Sequence, residues 1–428
     1  MSRFVLSILF IIMVGNAQSQ SLAHQRCAAF ERGMNISNWL EAPWQTDWPT
    51  ETGYSKADIQ LMKDAGIKSL RLPINFAEIS DTLYPFDVDT AHVLFQRIDT
   101  VIKWADELSM NLIIDNHHGW TLTNANWRSH KDRFAKLWGI VAKKYQYLDP
   151  EHYFFELLNE PPITFTDLDS LNLLFNTAID SIRKYTTVHS VVVSPPIGSW
   201  GMTFNLYRPL QDTNLIYTWH CYDGINFTHQ GLVWNDPYYP TGNEFPTQGD
   251  PFYEQFLFEG VKRVIHWKDS FDIPVFLGEF GVSEHAPAES RCRWMEFLTH
   301  KTDSMNIPWF YWDWRWDFSM FNGHVISEDS IIPCFKYALH LYSDTVSGIE
   351  VFGKGKDDIY IYPNPVSETF SVNGIDFPAR VMITDAAGQL VYDGMLTKSC
   401  DVSFLAPGYY TLLLTDRNKN KRLKLLKQ

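Results

Sequence analysis

Between about Phe30 and Tyr342, short apolar runs alternate with amphipathic stretches. GMNIS (33–37), SLRLPI (69–74), NLIID (111–115), YFFELL (153–158), SVVVS (190–194), LIYTW (215–219), PVFLG (274–278) and WFYW (309–312) read as strands. Helical spacing falls between them, over Lys56–Ala65, Ala91–Leu108, Asp132–Tyr145, Leu168–Tyr185, Glu254–Asp269, Ala288–Met305 and Pro333–Tyr342. The strand runs are continuously apolar rather than alternating, as in parallel strands covered on both faces. Eight of them in a βα rhythm over roughly 310 residues predict an α/β fold, a (β/α)8 TIM barrel. An open doubly-wound sheet is the alternative, but no glycine-rich dinucleotide turn follows the first strand.

After Ser347 the pattern changes. GIEVFGKGKDD (348–358) is glycine-rich and charged and reads as a linker. Residues 359–428 then carry short β runs punctuated by Gly and Pro, which predicts a small all-β sandwich. At the other end, Arg3 precedes an apolar run from Phe4 to Val14 and then small polar residues. That is the layout of a signal peptide over 1–19, with cleavage near Ala17–Gln20 and the catalytic domain at 20–347. No later run reaches the ~18 apolar residues of a membrane span.

Composition narrows the function. A net charge of −14 disfavours nucleic acid as a partner. All 16 Trp lie between Trp39 and Trp316, so the tail carries no indole platform. Indole is a demanding core residue because its N–H needs a partner, so some of these Trp are expected to line a site. The cysteines Cys27, Cys221, Cys292, Cys334 and Cys400 are irregularly spaced without CxxC, which argues against a zinc site and against a disulfide framework. Their odd number leaves at least one unpaired, and spacing does not specify the pairing.

In a barrel the C-terminal strand ends build the site. Read in order, those ends are polar: Asn35, Asn38 and Glu41, then Arg71, His117-His118, Asn159-Glu160, His220 and Tyr222, Glu279, and Trp312. Strands 4 and 7 face each other across the mouth, which brings Glu160 and Glu279 together across 279 − 160 = 119 residues. Cleavage of a glycosidic bond needs such a pair, one protonated and one ionised. Arg71, on reaching Glu279, would hold it ionised. Asn159 is placed to bond a sugar 2-hydroxyl, and His220 and Tyr222 to orient the carboxyls. Trp39, Trp234 and Trp312 are expected as exposed faces for pyranose rings. A metal centre built from His117, His118, His220 and the two glutamates is the competing chemistry, but neither HxH nor HExxH is present. No metal and no cofactor is therefore expected.

The ordered set RGMNISNWLEAP, SLRLPINF, IIDNHHGW, FELLNEPP, HCYDGINFTHQG, FLGEFG and YWDW resembles glycoside hydrolase family 5 over roughly residues 27–345. That resemblance implies a retaining double displacement, with Glu160 as acid/base and Glu279 as nucleophile. Arg71, His117, Asn159, His220, Tyr222 and Trp312 match the family's other active-site positions. FTHQG with Trp234, together with SNWLEAP, resembles a branch of endo-β-1,4-glucanases, several of which cleave mannan or mixed-linkage glucan. There Asn38, Glu41, His118 and Trp234 would contact sugar on the non-reducing side. Cys221 departs from the more usual aromatic. The polysaccharide substrate implied is a β-glucan or β-mannan; an endo-β-mannanase, a xyloglucanase or a non-catalytic polysaccharide-binding protein are the other readings. YPNP, ITDAAGQLVYDG, LAPGYYTLLLTD and KLLKQ resemble the C-terminal sorting domain of type IX secretion, implying that machinery as a partner and a secreted or cell-surface location. A monomer is the expected state.

Overall fold

The computed structural model describes residues 21–42, 53–118, 126–162, 168–245, 251–321, 326–339, 360–362, 366, 368–373, 377–385, 389–397, 399–406, 408–415 and 420–427. The signal peptide expected over 1–19 and the linker over 348–358 lie outside these residues.

Eight parallel strands close a barrel in sequence order: β1 (Arg32–Asn35), β2 (Ser69–Ile74), β3 (Asn111–Asn116), β4 (Tyr153–Glu156), β5 (Val191–Val193), β6 (Leu215–Cys221), β7 (Val275–Phe280) and β8 (Trp309–Tyr311). β8 pairs with β1 through Gly33 opposite Phe310, which completes the ring. The helices are α1 (Leu22–Ala28), α2 (Lys56–Asp64), α3 (Val93–Leu108), α4 (Trp127–Tyr145), α5 (Leu168–Arg183), α6 (Ile225–Thr228), α7 (Pro251–Phe271), α8 (Ala288–Asp303) and α9 (Pro333–Ala338). Each predicted strand is present, and the β2 run matches its expected bounds to the residue. The apolar pattern does not announce α1 or α6, because both are too short to show helical periodicity.

The two barrel faces have separate cores. Leu70, Leu72, Leu112, Ile114, Phe155 and Val193 pack outward against the helices. Inside, Ile113, Phe154, Val192, Ile216, Phe276 and Phe310 meet Phe30 and the α1 residues Ala23 and Cys27. Phe30 sits edge-on to Phe154, Phe276 and Phe310 at 4.7, 5.2 and 5.7 Å between centroids, so it plugs the N-terminal end of the barrel. Gly33 is required there: a Cβ would come within 2.1 Å of the Phe310 ring. With the N-terminal end plugged, a site is expected at the C-terminal end of the barrel. A Cys292–Cys334 disulfide ties α8 to α9, a pairing that spacing alone left open, while Cys27, Cys221 and Cys400 are free and buried.

The chain divides into two compact units, Met1–Ser343 and Asp344–Gln428. In the second, β9 (Tyr360–Tyr362), β10 (Thr369–Asn373) and β13 (Ser399–Asp401) make one antiparallel sheet. β11 (Ala379–Thr384), β12 (Leu390–Leu396), β14 (Gly408–Thr415) and β15 (Asn420–Lys427) make another. Phe370 and Val372 from the first sheet share one buried cluster with Val381, Ile383, Leu412, Leu414 and Leu425 from the second, which is the sandwich expected.

Candidate active site

A strand in a barrel turns alternate residues inward, so positions two apart stack along the axis. Above Ile113 comes Asp115, and above Phe154 comes Glu156; on β2 and β1 the inward Arg71 and Asn35 lie opposite each other, in register with Ile113. The apolar interior therefore gives way to a polar layer at the C-terminal mouth. Buried charge must be paired, and Arg71 does the pairing.

Arg71 is fully buried. Its Nε donates to Glu156 Oε2 and its Nη2 to Glu156 Oε1, both at 2.8 Å, a bidentate fork. Nη1 donates to Asn35 Oδ1 at 3.0 Å and to Glu279 Oε1 at 2.7 Å. Nη2 also donates to Asn159 Oδ1 at 2.8 Å and lies 3.1 Å from Asp115 Oδ2. The pattern of strand ends points to Arg71, Asn159 and Glu279 but not to Asp115 and Glu156. Glu156 lies four residues before Glu160, and a lone carboxylate within an otherwise apolar strand was the available signal.

Glu279 owes its direction to an irregularity. Phe276 points inward and Leu277 outward, so strict alternation would send Glu279 out of the barrel. The β6–β7 register shifts between Trp219 and His220, pairing Leu277 with Trp219 but Glu279 with His220. This bulge returns Glu279 to the interior and sends Phe280 against Trp294 and Tyr311 in the outer core. Gly278 makes it possible, since a Cβ there would lie 2.1 Å from Thr218 Oγ1. Glu160 is held by strain of another kind: its φ of 40° is left-handed, an unusual conformation for a non-glycine residue just before proline.

Glu160 and Glu279 meet as the strand order predicts. One ligating atom from each of Glu160, His220 and Glu279 lies within 4.8 Å of the others. His220 Nδ1 is 2.8 Å from Glu160 Oε1 and 3.7 Å from Glu279 Oε2. Tyr222 Oη donates to Glu279 Oε2 at 3.1 Å. Burial pushes Glu279 up to about 7, against the pull of His220 and Arg71, so the guanidinium acts in the expected direction but desolvation outweighs it. Burial raises Glu160 to about 7 as well. Its side chain is 39% exposed because the cleft above is open, and a sugar filling that cleft would complete the desolvation. Burial holds His220 down at about 4, leaving a neutral imidazole between the two carboxyls.

The other predicted residues form two walls. His117 Nδ1 bonds Asp115 Oδ2 at 2.7 Å, and its ring stacks on Trp312 at 5.3 Å and 11° between planes. Asn159 Nδ2 approaches His117 Nε2 at 3.5 Å. Glu41 accepts from the backbone N–H groups of Asn38 and Trp39, and its own carbonyl bonds His118 Nε2. That carboxyl is buried and raised to about 8 by its desolvation. Asn38 and Ser37 reach Asp313, which follows Trp312, so β1, β3 and β8 are tied together at the rim. On the far side, the His229 ring lies 5.0 Å from Tyr222 and 6.0 Å from Trp234. Trp234 is 59% exposed, with Nε1 donating to Asp317 Oδ2 at 2.6 Å. Trp39 is a correction: it is only 4% exposed, packs against Tyr54, and cannot offer a face to sugar. Its burial comes from long-range packing that no local pattern records. Cys221 is buried and directs its thiol to Asp223 Oδ2 at 3.8 Å, away from the cleft. Trp200, exposed after β5 with Nε1 donating to Asp223 Oδ1 at 2.5 Å, is a mouth aromatic that strand-end reading passed over.

Among the described residues, Glu160, His220 and Glu279 are the group of His, Cys, Asp and Glu close enough to share an ion. The donor set fits a cation poorly, because the Arg71 guanidinium already occupies the inner side of Glu279.

Two carboxyls this near, with unlike neighbours, can divide the breaking of a glycosidic bond between a proton donor and a group that meets the anomeric carbon. Fold and site thus define a barrel glycoside hydrolase. The chain belongs to glycosyl hydrolase family 5, whose cellulase model matches residues 26–317. A second model, the secretion system C-terminal sorting domain, matches residues 360–428, so the chain is exported to the cell surface or beyond. Endoglucanase 3 of Fibrobacter succinogenes is 30% identical over 346 residues, 69% of this chain and 51% of that protein, so the chain spans about half the length of this relative. Cel5A of Thermotoga maritima in complex with cellobiose superposes with a TM-score of 0.65 at 26% identity, over 74% of this chain and 99% of that one. The same protein in complex with mannotriose superposes at 0.64 and 26%, with the same coverage.

Proposed function

We propose that this chain is a secreted endo-β-1,4-glucanase that cleaves with retention of configuration. The observation that carries the reading is the asymmetry of the carboxyl pair. Like charges within 4.8 Å resist joint ionisation, so the pair holds one proton. Glu279 accepts hydrogen bonds from Arg71 and Tyr222, which stabilise its anion, whereas Glu160, among the described residues, is hydrogen-bonded only to the neutral His220. The proton therefore resides on Glu160.

In the first step Glu160 gives that proton to the glycosidic oxygen as the bond to C1 breaks, and a Glu279 oxygen forms a bond to C1. In the second, ionised Glu160 takes a proton from water, whose oxygen displaces Glu279 from C1. The oxygen-to-oxygen approach fits direct attack, since inversion needs roughly 6.5–9.5 Å between carboxyls to admit a water. Asn159, held by Arg71, meets the sugar 2-hydroxyl; Trp312 and Trp234 supply stacking faces; Asn38, Glu41 and His118 line the non-reducing side.

The names of the relatives support β-1,4-glucan as substrate, and the mannotriose complex of Cel5A makes β-mannan the second reading. The working unit is a monomer, with residues 20–347 catalytic and 359–428 addressed to the type IX secretion machinery. Product analysis on β-1,4-glucan, xyloglucan, mannan and mixed-linkage glucan tests the assignment. A ladder of β-1,4 oligosaccharides from glucan, produced with retained anomeric configuration and lost in Glu279→Ala, is expected. Wild-type rates in that variant on any of these substrates would overturn it.

A further inference from the structure

We infer that Glu156, which contacts no substrate, is a positioning residue that sets both the orientation of Arg71 and the ionisation of Glu279. The inference rests on the reading of Glu279 as nucleophile.

Glu156 is fully buried in the polar layer one step below the cleft. A guanidinium is planar, and its donors leave in fixed directions. Once Nε and one Nη2 hydrogen are engaged side-on by the Glu156 carboxylate, the remaining directions are determined. Nη1 must face Asn35 and Glu279, and the other Nη2 hydrogen must face Asn159. Arg71 thus reaches both chemically important side chains in a geometry that Glu156 dictates. Ser194 Oγ on the neighbouring side donates to Glu156 Oε1 at 3.3 Å and steadies it.

Charge adds a second effect. One guanidinium faces Asp115, Glu156 and Glu279. Each anion it satisfies weakens its hold on the others, so Glu156 limits how strongly Arg71 stabilises ionised Glu279. Among the described residues, the other charged or titratable groups acting on Glu279 are Glu160 after β4 and His220 and Tyr222 from β6 and its end, while Asp115, His117 and Asp313 act on those neighbours. Among the described residues, Glu156 is the carboxylate that engages Arg71 with both oxygens, and it is fully buried. A purely structural acid at this place would need only to neutralise Arg71.

Glu156→Gln and Glu156→Asp in the full chain separate these roles. The Gln variant removes the charge and turns an N–H toward Arg71. Its kcat on an aryl β-cellobioside should fall about 10- to 100-fold with KM within roughly threefold of wild type. The acid limb of kcat/KM should move to lower pH by about one unit, because the guanidinium field now falls on Glu279 with less competition. The Asp variant keeps the charge and loses the reach, so kcat should fall while the acid limb stays. A Gln variant with wild-type thermal stability, wild-type kcat and an unmoved acid limb would overturn the inference. If the Gln variant does not fold, an Asp variant that folds with unchanged kcat overturns it equally. Labelling with a 2-deoxy-2-fluoro-β-cellobioside keeps the two readings apart. Label on Glu279 in wild type with no effect of Glu156 defeats only this inference; label elsewhere defeats the reading of Glu279.

Discussion

His220 Nδ1 lies 2.8 Å from Glu160 Oε1, and the imidazole is neutral because burial holds it near 4. A neutral imidazole serves both states of the acid: protonated Glu160 donates to Nδ1, and ionised Glu160 accepts from the other tautomer. The pH profile follows. Glu160 is raised to about 7, and activity requires its proton, so rates on cellulose derivatives should fall as pH rises through 7. They should also fall on the acid side, where Glu279 becomes protonated. An aryl cellobioside with a strongly acidic leaving group needs no proton donor and should lose the alkaline fall. A pH–rate comparison of the two substrates checks this.

Stability should run the same way for a different reason. Glu160, Glu279 and Asp115 are each raised to about 7 by burial, above the ordinary carboxyl value of about 4. A raised carboxyl pKa means that folding takes up protons. Its stabilising contribution is complete below about pH 4 and is lost as pH rises through 7. Thermal melts should show the barrel more stable at pH 5 than at pH 8. Glu279→Gln, which cannot ionise, should flatten that slope.

Trp39 and Trp234 should separate folding from binding. Trp39 is buried against Tyr54, and Trp39→Ala should cost about 3–5 kcal/mol in denaturant titration. Trp234 stands exposed on its Asp317 hydrogen bond, and Trp234→Ala should leave the melt unchanged. Loss of a stacking face there should raise KM on cello-oligosaccharides roughly tenfold with kcat little altered.

The Cys292–Cys334 bond closes a loop of 42 residues and anchors α9 against α8. Chain entropy assigns such a crosslink about 4 kcal/mol. The double change C292S/C334S should lower the melting temperature by several degrees, with kcat at 25 °C unchanged. Melts of wild type with and without reductant give an independent reading.

The tail should be dispensable for catalysis. The two compact units part at Ser343–Asp344, and every residue of the carboxyl site lies in the first. A chain ending at residue 347 should match the full chain in kcat on soluble glucan. In a host with type IX secretion, the same truncation should abolish export, scored as activity in cells against medium.

The strands, the order of the barrel and the place of Glu160 were legible from the chain because each depends on near neighbours. SLRLPI is largely apolar over the length of a strand, and Glu160 follows closely on the apolar run YFFELL, just before Pro161 and Pro162. The tail was legible for the same reason, since Gly and Pro mark its turns and Trp is absent.

Other features depend on what arrives from afar. Alternation read along β7 would turn Glu279 outward; a register slip against β6 turns it in. Trp39 and Trp234 are the same side chain in the sequence, and only packing makes one core and the other surface. Sequence pattern placed Arg71 beside Glu279, but the sharing of its charge with Asp115 and Glu156 required closure of the barrel. Local periodicity determines which residues form an element and which face they leave on. Burial, charge sharing and the pairing of Cys292 with Cys334 follow from contacts between elements far apart in the chain, and those belong to the tertiary fold.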